Sequence, residues 1–83
     1  MKEGSEERID VIAYSGHRGE ETPRTILLNQ NRIDIVEIWR QWVEERPENR
    51  KTRRFYRIQG SDQNFYTIYY DEKSMEWFHR TGE

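Results

Sequence analysis

The fold is decided by three short runs that follow one another closely: RRFYRIQ at 53–59, FYTIYY at 65–70 and MEWFHR at 75–80. Each run is rich in the aromatic and β-branched residues that favour strands. The segments between them, GSDQN at 60–64 and DEKS at 71–74, are rich in residues that form turns. This pattern predicts three antiparallel strands joined by two tight turns.

The N-terminal half predicts three further strands. The run at 9–14 is apolar on both sides of its pleat, which is typical of a strand buried on both faces. The runs at 24–28 and 32–35 flank Asn29-Gln30-Asn31, and asparagine tolerates the left-handed backbone that a short hairpin loop needs. The chain from 24 to 35 is therefore predicted to be a β-hairpin.

Between these halves the apolar spacing changes from two to about 3.6 residues. The spacing is i, i+3, i+4, i+7, i+8 and is made by Ile35, Ile38, Trp39, Trp42 and Val43. Such a pattern is typical of an amphipathic helix, which Pro47 would end. We therefore predict one short helix over residues 36–45.

Together these elements predict an α+β domain, mostly antiparallel β, in the order β-β-β-α-β-β-β. Six short strands in so small a chain favour a curled sheet or barrel, with Trp39 and Trp42 of the helix plugging it. We expect tails at 1–7 and 81–83 and a single domain at 8–80. The expected core consists of Ile9, Val11, Ile35, Ile38, Trp39, Trp42, Ile58, Ile68 and Phe78.

The composition is that of a small folded domain. The chain has 83 residues, of which 36% are charged and 33% hydrophobic, but 13% are aromatic, and disordered chains are poor in aromatics. It has no cysteine, which excludes disulfides and thiolate metal sites. No apolar run is long enough to span a bilayer and the N-terminus is too polar for a signal peptide, so we expect a cytoplasmic protein without membrane association.

The second half also carries a recognisable signature. It consists of Arg53-Arg54-Phe55-Tyr56-Arg57-Ile58, Tyr66-Thr67-Ile68-Tyr69-Tyr70-Asp71 and Glu76-Trp77-Phe78, preceded by Val36-Glu37-Ile38-Trp39-Arg40-Gln41-Trp42. It resembles a family of small bacterial domains of unknown function, found as stand-alone cytoplasmic proteins and appended C-terminally to proteins similar to Y-family DNA polymerases. The resemblance covers about 9–78. The resemblance implies a β-rich fold, a bacterial source and an association with DNA-related proteins. It implies no site residues.

The sequence offers few groups for catalysis. His17 lies in a predicted loop near Glu20 and Glu21, where a weak divalent-ion site is the alternative to a solvated imidazole. His79 lies in the last predicted strand and is interpreted as an ordinary packed or surface side chain. Cysteine, a paired acid and base, and metal-ligand spacing are all lacking, and Ser15, Ser61 and Ser74 fall in predicted turns. We therefore expect no enzyme activity, no cofactor and no metal.

Charge is distributed unevenly. From Arg40 to Arg57 seven basic residues outnumber three acidic ones, giving +4, and the rest of the chain carries −6. Arginines next to rings are the means by which proteins bind phosphates and stack bases of single strands. The candidate anion-, nucleic-acid- or partner-binding residues are Arg50, Lys51, Arg53, Arg54, Arg57, Phe55, Tyr69 and Trp77. The alternative is a solvated face with internal ion pairs.

The rings of the fifth predicted strand divide between two faces. Tyr66, Ile68 and Tyr70 share one side and Phe65 and Tyr69 the other, and a domain this small cannot bury both. The outer set is either a binding strip or a set of cross-strand pairs that stiffens the sheet. Because the total charge is −2, we expect a non-catalytic accessory domain that binds a protein partner. The alternative is weak binding of single-stranded nucleic acid.

Overall fold

The computed structural model describes residues 5–17, 20–46 and 51–81, which form six antiparallel strands in a closed barrel. Each strand pairs with the next along the chain, and the first pairs with the last. The strands are β1 (Ser5–His17), β2 (Glu20–Leu28), β3 (Asn31–Arg46), β4 (Lys51–Gly60), β5 (Phe65–Asp71) and β6 (Glu76–Thr81). The barrel is confirmed, and the α+β class is wrong because the described residues contain no helix.

The two predicted hairpin regions form as expected. In the meander, Phe55 of β4 lies opposite Tyr69 of β5, which lies opposite Phe78 of β6. Between β2 and β3 the turn consists of Asn29 and Gln30, both with positive φ, 53° and 66°. Two such residues match the twist of the flanking strands and set the hairpin register.

β1 closes the barrel and is longer than predicted. Its second half pairs with β2 from Asp10 onwards, whereas its first half pairs with β6 from Ser5 opposite Thr81 to Ile9 opposite Trp77. Residues 5–7 and Thr81, which were expected to lie in tails, are therefore parts of strands.

The helix predicted over 36–45 is wrong, because this segment belongs to β3. The register against β4 shifts between Ile35 and Glu37 and again between Ile38 and Arg40, so that Val36 and Trp39 are extra residues in two β-bulges. Each bulge lengthens the spacing of inward-facing residues from two to three. The resulting spacing resembles that of a helix.

The barrel interior is filled mainly by branched aliphatic side chains, with two rings. The buried cluster consists of Ile9, Ile26, Leu28, Ile33, Tyr56, Ile58, Ile68 and Trp77. Partly buried side chains packed against it are Val11, Ala13, Ile35, Ile38, Tyr66 and Tyr70.

Three members of the expected core lie elsewhere. Trp39 is 58% exposed, and Trp42 and Phe78 are half-buried on the outer surface of the barrel. Neither tryptophan plugs the barrel. The prediction failed because it depended on a helix lying across the sheet.

Candidate functional site

Four rings form a continuous row on the outer surface of β3 to β6. Trp42 stacks on Phe55 with a centroid distance of 5.2 Å, Phe55 contacts Tyr69 at 4.7 Å, and Tyr69 stacks on Phe78 at 5.1 Å. Phe55 and Tyr69 are 0% and 1% exposed although they lie outside the barrel interior. The row is therefore a second packed layer, and β4 and β5 are buried on both faces there.

Arginine side chains cover this row of rings. The guanidinium carbon of Arg80 lies 4.6 Å from the Phe55 ring centroid, and that of Arg53 lies 5.1 Å from Tyr69. These distances are typical of cation–π contacts. The Tyr69 hydroxyl donates to Glu6 Oε1 at 2.7 Å, and burial together with this bond raises the pKa of Tyr69. These contacts explain why the two central rings are inaccessible.

Most of the basic residues predicted to bind a ligand either lie beside carboxylates of this chain or fall outside the described residues. Arg50 lies outside the described residues, as does the side chain of Lys51, whose backbone begins β4. Arg53 is flanked on its neighbouring strands by Glu44 and Asp71, and Arg54 pairs with Glu72. Arg53 and Arg54 are therefore poorly placed to neutralise the charge of a ligand.

The predicted rings are likewise buried. Trp77 lies in the barrel interior against Tyr56 and Tyr70, at 5.7 and 5.1 Å. Phe55 and Tyr69 belong to the outer row. The possible ion site at His17 falls on side chains outside the described residues.

Two other rings are accessible on the same outer surface. Trp39 is 58% exposed and Phe65 43%, and they meet edge to face with centroids 5.2 Å apart. The guanidinium of Arg57 lies 5.7 Å from the Phe65 centroid. Sequence reasoning missed Trp39 because it assigned that residue to the core. A β-bulge leaves no local sequence signal strong enough to correct this.

Arg40 and Arg57 lie directly opposite each other on β3 and β4. Like charges in this position repel each other. Among the described residues neither guanidinium has a carboxylate within ion-pair distance, although other arginines of the barrel do. Arg40 lies over Trp42 and Arg57 donates to Thr67 Oγ1 at 2.7 Å. This exposed pair would be stabilised by an external anion.

A cleft of about 670 Å³ opens beside Arg57, where β5 begins and β6 ends. Residues lining it include Trp42, Arg57, Phe65, Tyr66, His79 and Arg80. Tyr66 donates to Asp62 Oδ2 at 2.5 Å, which lowers the pKa of that carboxyl group, and burial raises the pKa of Tyr66 itself. The cleft thus combines cations, rings and neutral polar groups.

His79 is a partly buried titratable group in this cleft. Its Nδ1 is buried without a hydrogen-bond partner, its ring lies 5.5 Å from Tyr66, and burial lowers its pKa despite Glu7 on the adjacent strand. The unfolded chain takes up this proton near pH 6.5, and the folded chain takes it up at lower pH. The stability that depends on neutral His79 is therefore complete above pH 6.5 and is lost as the pH falls through the folded-state pKa.

We expect the free energy of unfolding to fall between pH 7.5 and pH 5, and to fall less in His79→Gln. Urea denaturation at both pH values measures this, with Met75→Ala, at an exposed residue without a titratable group, as the control that retains the wild-type difference. An identical pH dependence in wild type and His79→Gln would contradict the assignment. Carboxylate titration is common to all three proteins, so the difference between them isolates the imidazole.

The described residues contain no group of three or more His, Asp or Glu side chains placed to hold a metal ion. No helix in the described part of the chain has the length and apolarity required to cross a membrane. Comparisons of the chain with models of known families, with curated proteins and with solved structures found no match. The resemblance to the bacterial domain family stays a prediction.

Proposed function

We propose that this domain is a non-catalytic interaction module that binds an acidic, partly apolar segment of a protein partner. The binding surface consists of Trp39, Phe65, Arg40 and Arg57 and is called the Trp39 surface below. The observation that carries the proposal is the contact between two exposed rings beside two opposed arginines that lack carboxylate partners among the described residues.

The composition of this surface is that of a protein-binding hot spot. Tryptophan and arginine are enriched among the residues that contribute most to binding between proteins. The paired rings would bury an apolar side chain of the partner, and its carboxylates would neutralise Arg40 and Arg57. Charge complementarity therefore argues for an acidic segment.

Nucleic-acid binding through the patch identified from the sequence is less well supported. All three rings of that patch are buried. Arg53 is flanked by carboxylates on both neighbouring strands, and Arg54 forms an ion pair with Glu72. Arg57, with Arg40, would provide about two phosphate contacts. For single strands, two contacts predict a fall in affinity of only about sevenfold between roughly 50 and 200 mM salt.

Selection from a phage-displayed library of random peptides tests the proposal. We expect enriched peptides to combine aspartate or glutamate with leucine, isoleucine or an aromatic residue. Their affinity should fall about 30-fold or more in Trp39→Ala, the range of a hot-spot truncation. Arg57→Gln should weaken them about tenfold, as expected for loss of a hydrogen bond to a charged group.

Met75→Ala is the matched control, since Met75 is 71% exposed in the turn between β5 and β6. It should bind the selected peptides like the wild type. Equal affinity of wild type and Trp39→Ala would overturn the proposal, as would a selection in which acidic peptides are not enriched. Circular dichroism would establish that each variant is folded.

A further inference from the structure

A second group of side chains lies across three adjacent strands, next to the Trp39 surface, with which it shares Arg57. Arg57 of β4 lies opposite Thr67 of β5, which lies opposite Arg80 of β6. Neighbouring Cα atoms in such pairs are about 5 Å apart, so two guanidinium-bearing side chains flank one hydroxyl group within about 10 Å. All three residues line the same cleft.

The hydrogen-bonding capacity of this group is only partly used. Arg57 donates one N–H to Thr67 Oγ1 at 2.7 Å, which leaves the threonine hydroxyl proton and the other guanidinium protons as donors. Arg80 reaches Glu6 and Glu44 at 3.9 Å in each case, and both carboxylates are more than a third exposed. Exposed ion pairs at this distance contribute little, so a multiply charged anion can compete with them.

The walls of the cleft are suited to a flat ring. Trp42 and Phe65 line it on the outer side, and the neutral polar side chains of Asn64 and His79 also face it. Its volume of about 670 Å³ falls within the range of about 300 to 1,000 Å³ that small-molecule sites have. Arginines suit phosphate because their planar donors match its oxygens, and aromatic rings stack on bases.

We propose that this cleft binds a nucleotide, with its phosphate held by Arg57, Thr67 and Arg80 and its base against the exposed ring of Phe65. The nucleotide is either free or part of a single strand. The inference goes beyond the proposed protein-binding function, because its ligand does not require Trp39.

Titration of isotope-labelled protein with adenosine monophosphate, inorganic phosphate and adenosine tests the proposal. We expect the monophosphate to bind saturably and to shift resonances of Thr67 and Arg80. Since stacking one base on a ring is worth roughly 5- to 150-fold in affinity, the monophosphate should bind at least about fivefold more tightly than phosphate. Thr67→Val keeps the side-chain shape but removes the hydroxyl, and should weaken binding about tenfold.

A 5′-phosphorylated adenosine tetranucleotide distinguishes the two sources. Affinity at least tenfold above that of the monophosphate identifies a strand as the ligand, and equal affinity identifies a free nucleotide. The proposal is overturned if the monophosphate shifts no cleft resonance, binds no more tightly than phosphate, or binds Thr67→Val as tightly as wild type. If the amide spectrum of Thr67→Val loses its dispersion, that variant is unfolded and Arg80→Gln is used in its place. The same loss of binding is expected for Arg80→Gln.

The same variants separate this proposal from the protein-binding function. Trp39→Ala should lose affinity for the selected acidic peptides and bind the monophosphate as the wild type does. Arg80→Gln, at a residue that is not part of the Trp39 surface, should show the opposite behaviour. A negative result for one of the two proposals therefore leaves the test of the other proposal valid.

Discussion

Replacing Phe55 by alanine is expected to lower the free energy of unfolding by about 3 to 5 kcal/mol, the cost of removing a fully buried aromatic side chain. Phe55 is 0% exposed, and its ring lies between Trp42 and Tyr69 with Arg80 above it. Its removal would open a cavity in the outer row and leave the Arg80 guanidinium without its ring. Because a small domain has a total stability of about 5 to 15 kcal/mol, the variant should be close to unfolding at moderate temperature.

Trp39→Ala is the informative comparison, since the sequence predicts a loss of about 3 to 5 kcal/mol for it as well. The exposed ring of Trp39 instead predicts a loss of about 0.5 to 1.5 kcal/mol, the size of an edge-to-face contact with Phe65. Urea denaturation followed by circular dichroism measures both variants. Equal losses for Phe55→Ala and Trp39→Ala would show that the packing described for the outer row is incorrect.

Gly60→Ala is expected to destabilise the domain by about 1 to 3 kcal/mol, the usual cost of overpacking a filled core. Gly60 is buried at the end of β4, opposite Ile35. An added Cβ would lie 2.6 Å from Ile33 Cγ2 and 2.7 Å from Asp62 Oδ1. Asp62 cannot move freely, because its carboxylate accepts hydrogen bonds from Asn64 and Tyr66.

A graded series makes the test sharper. Gly60→Val should cost more than Gly60→Ala, because its extra methyl groups enter the same contact, whereas Gln59→Ala, on the preceding half-buried residue, should cost less. Thermal unfolding of the three variants provides the measurement. A Gly60→Ala variant with the melting temperature of the wild type would contradict the close approach.

The sequence predicts β4 to β6 well because these strands pair without register shifts. Their alternation of side chains is therefore visible directly, as in Tyr66 and Ile68 facing the interior. The part of β3 that follows Ile35 could not be predicted, because a bulge is defined by the pairing of two strands and has no reliable local sequence pattern. The extra residues Val36 and Trp39 made a strand resemble a helix.

The candidate sites were predictable only in part. Arg57 stands out in the sequence because it belongs to a basic, aromatic-rich stretch. The burial of Phe55 depends on Trp42 and Arg80, which come from strands at other positions in the chain. The local sequence pattern gives no information about which side chains from other strands cover a ring. The alignment of Arg57, Thr67 and Arg80 likewise depends on the register of three strands.

The two bulges of β3 are expected to disfavour edge-to-edge pairing between copies of the chain. From Ile35 to Arg46 the described structure gives β3 one ladder neighbour, β4, so its other edge can act as a template for edge-to-edge aggregation. The bulged residues Val36 and Trp39 are exposed apolar positions on that strand. A bulge bends and twists the backbone and interrupts the regular spacing that a second strand would need. The irregularities that make β3 hard to predict from the sequence are thus expected to disfavour amyloid-like stacking.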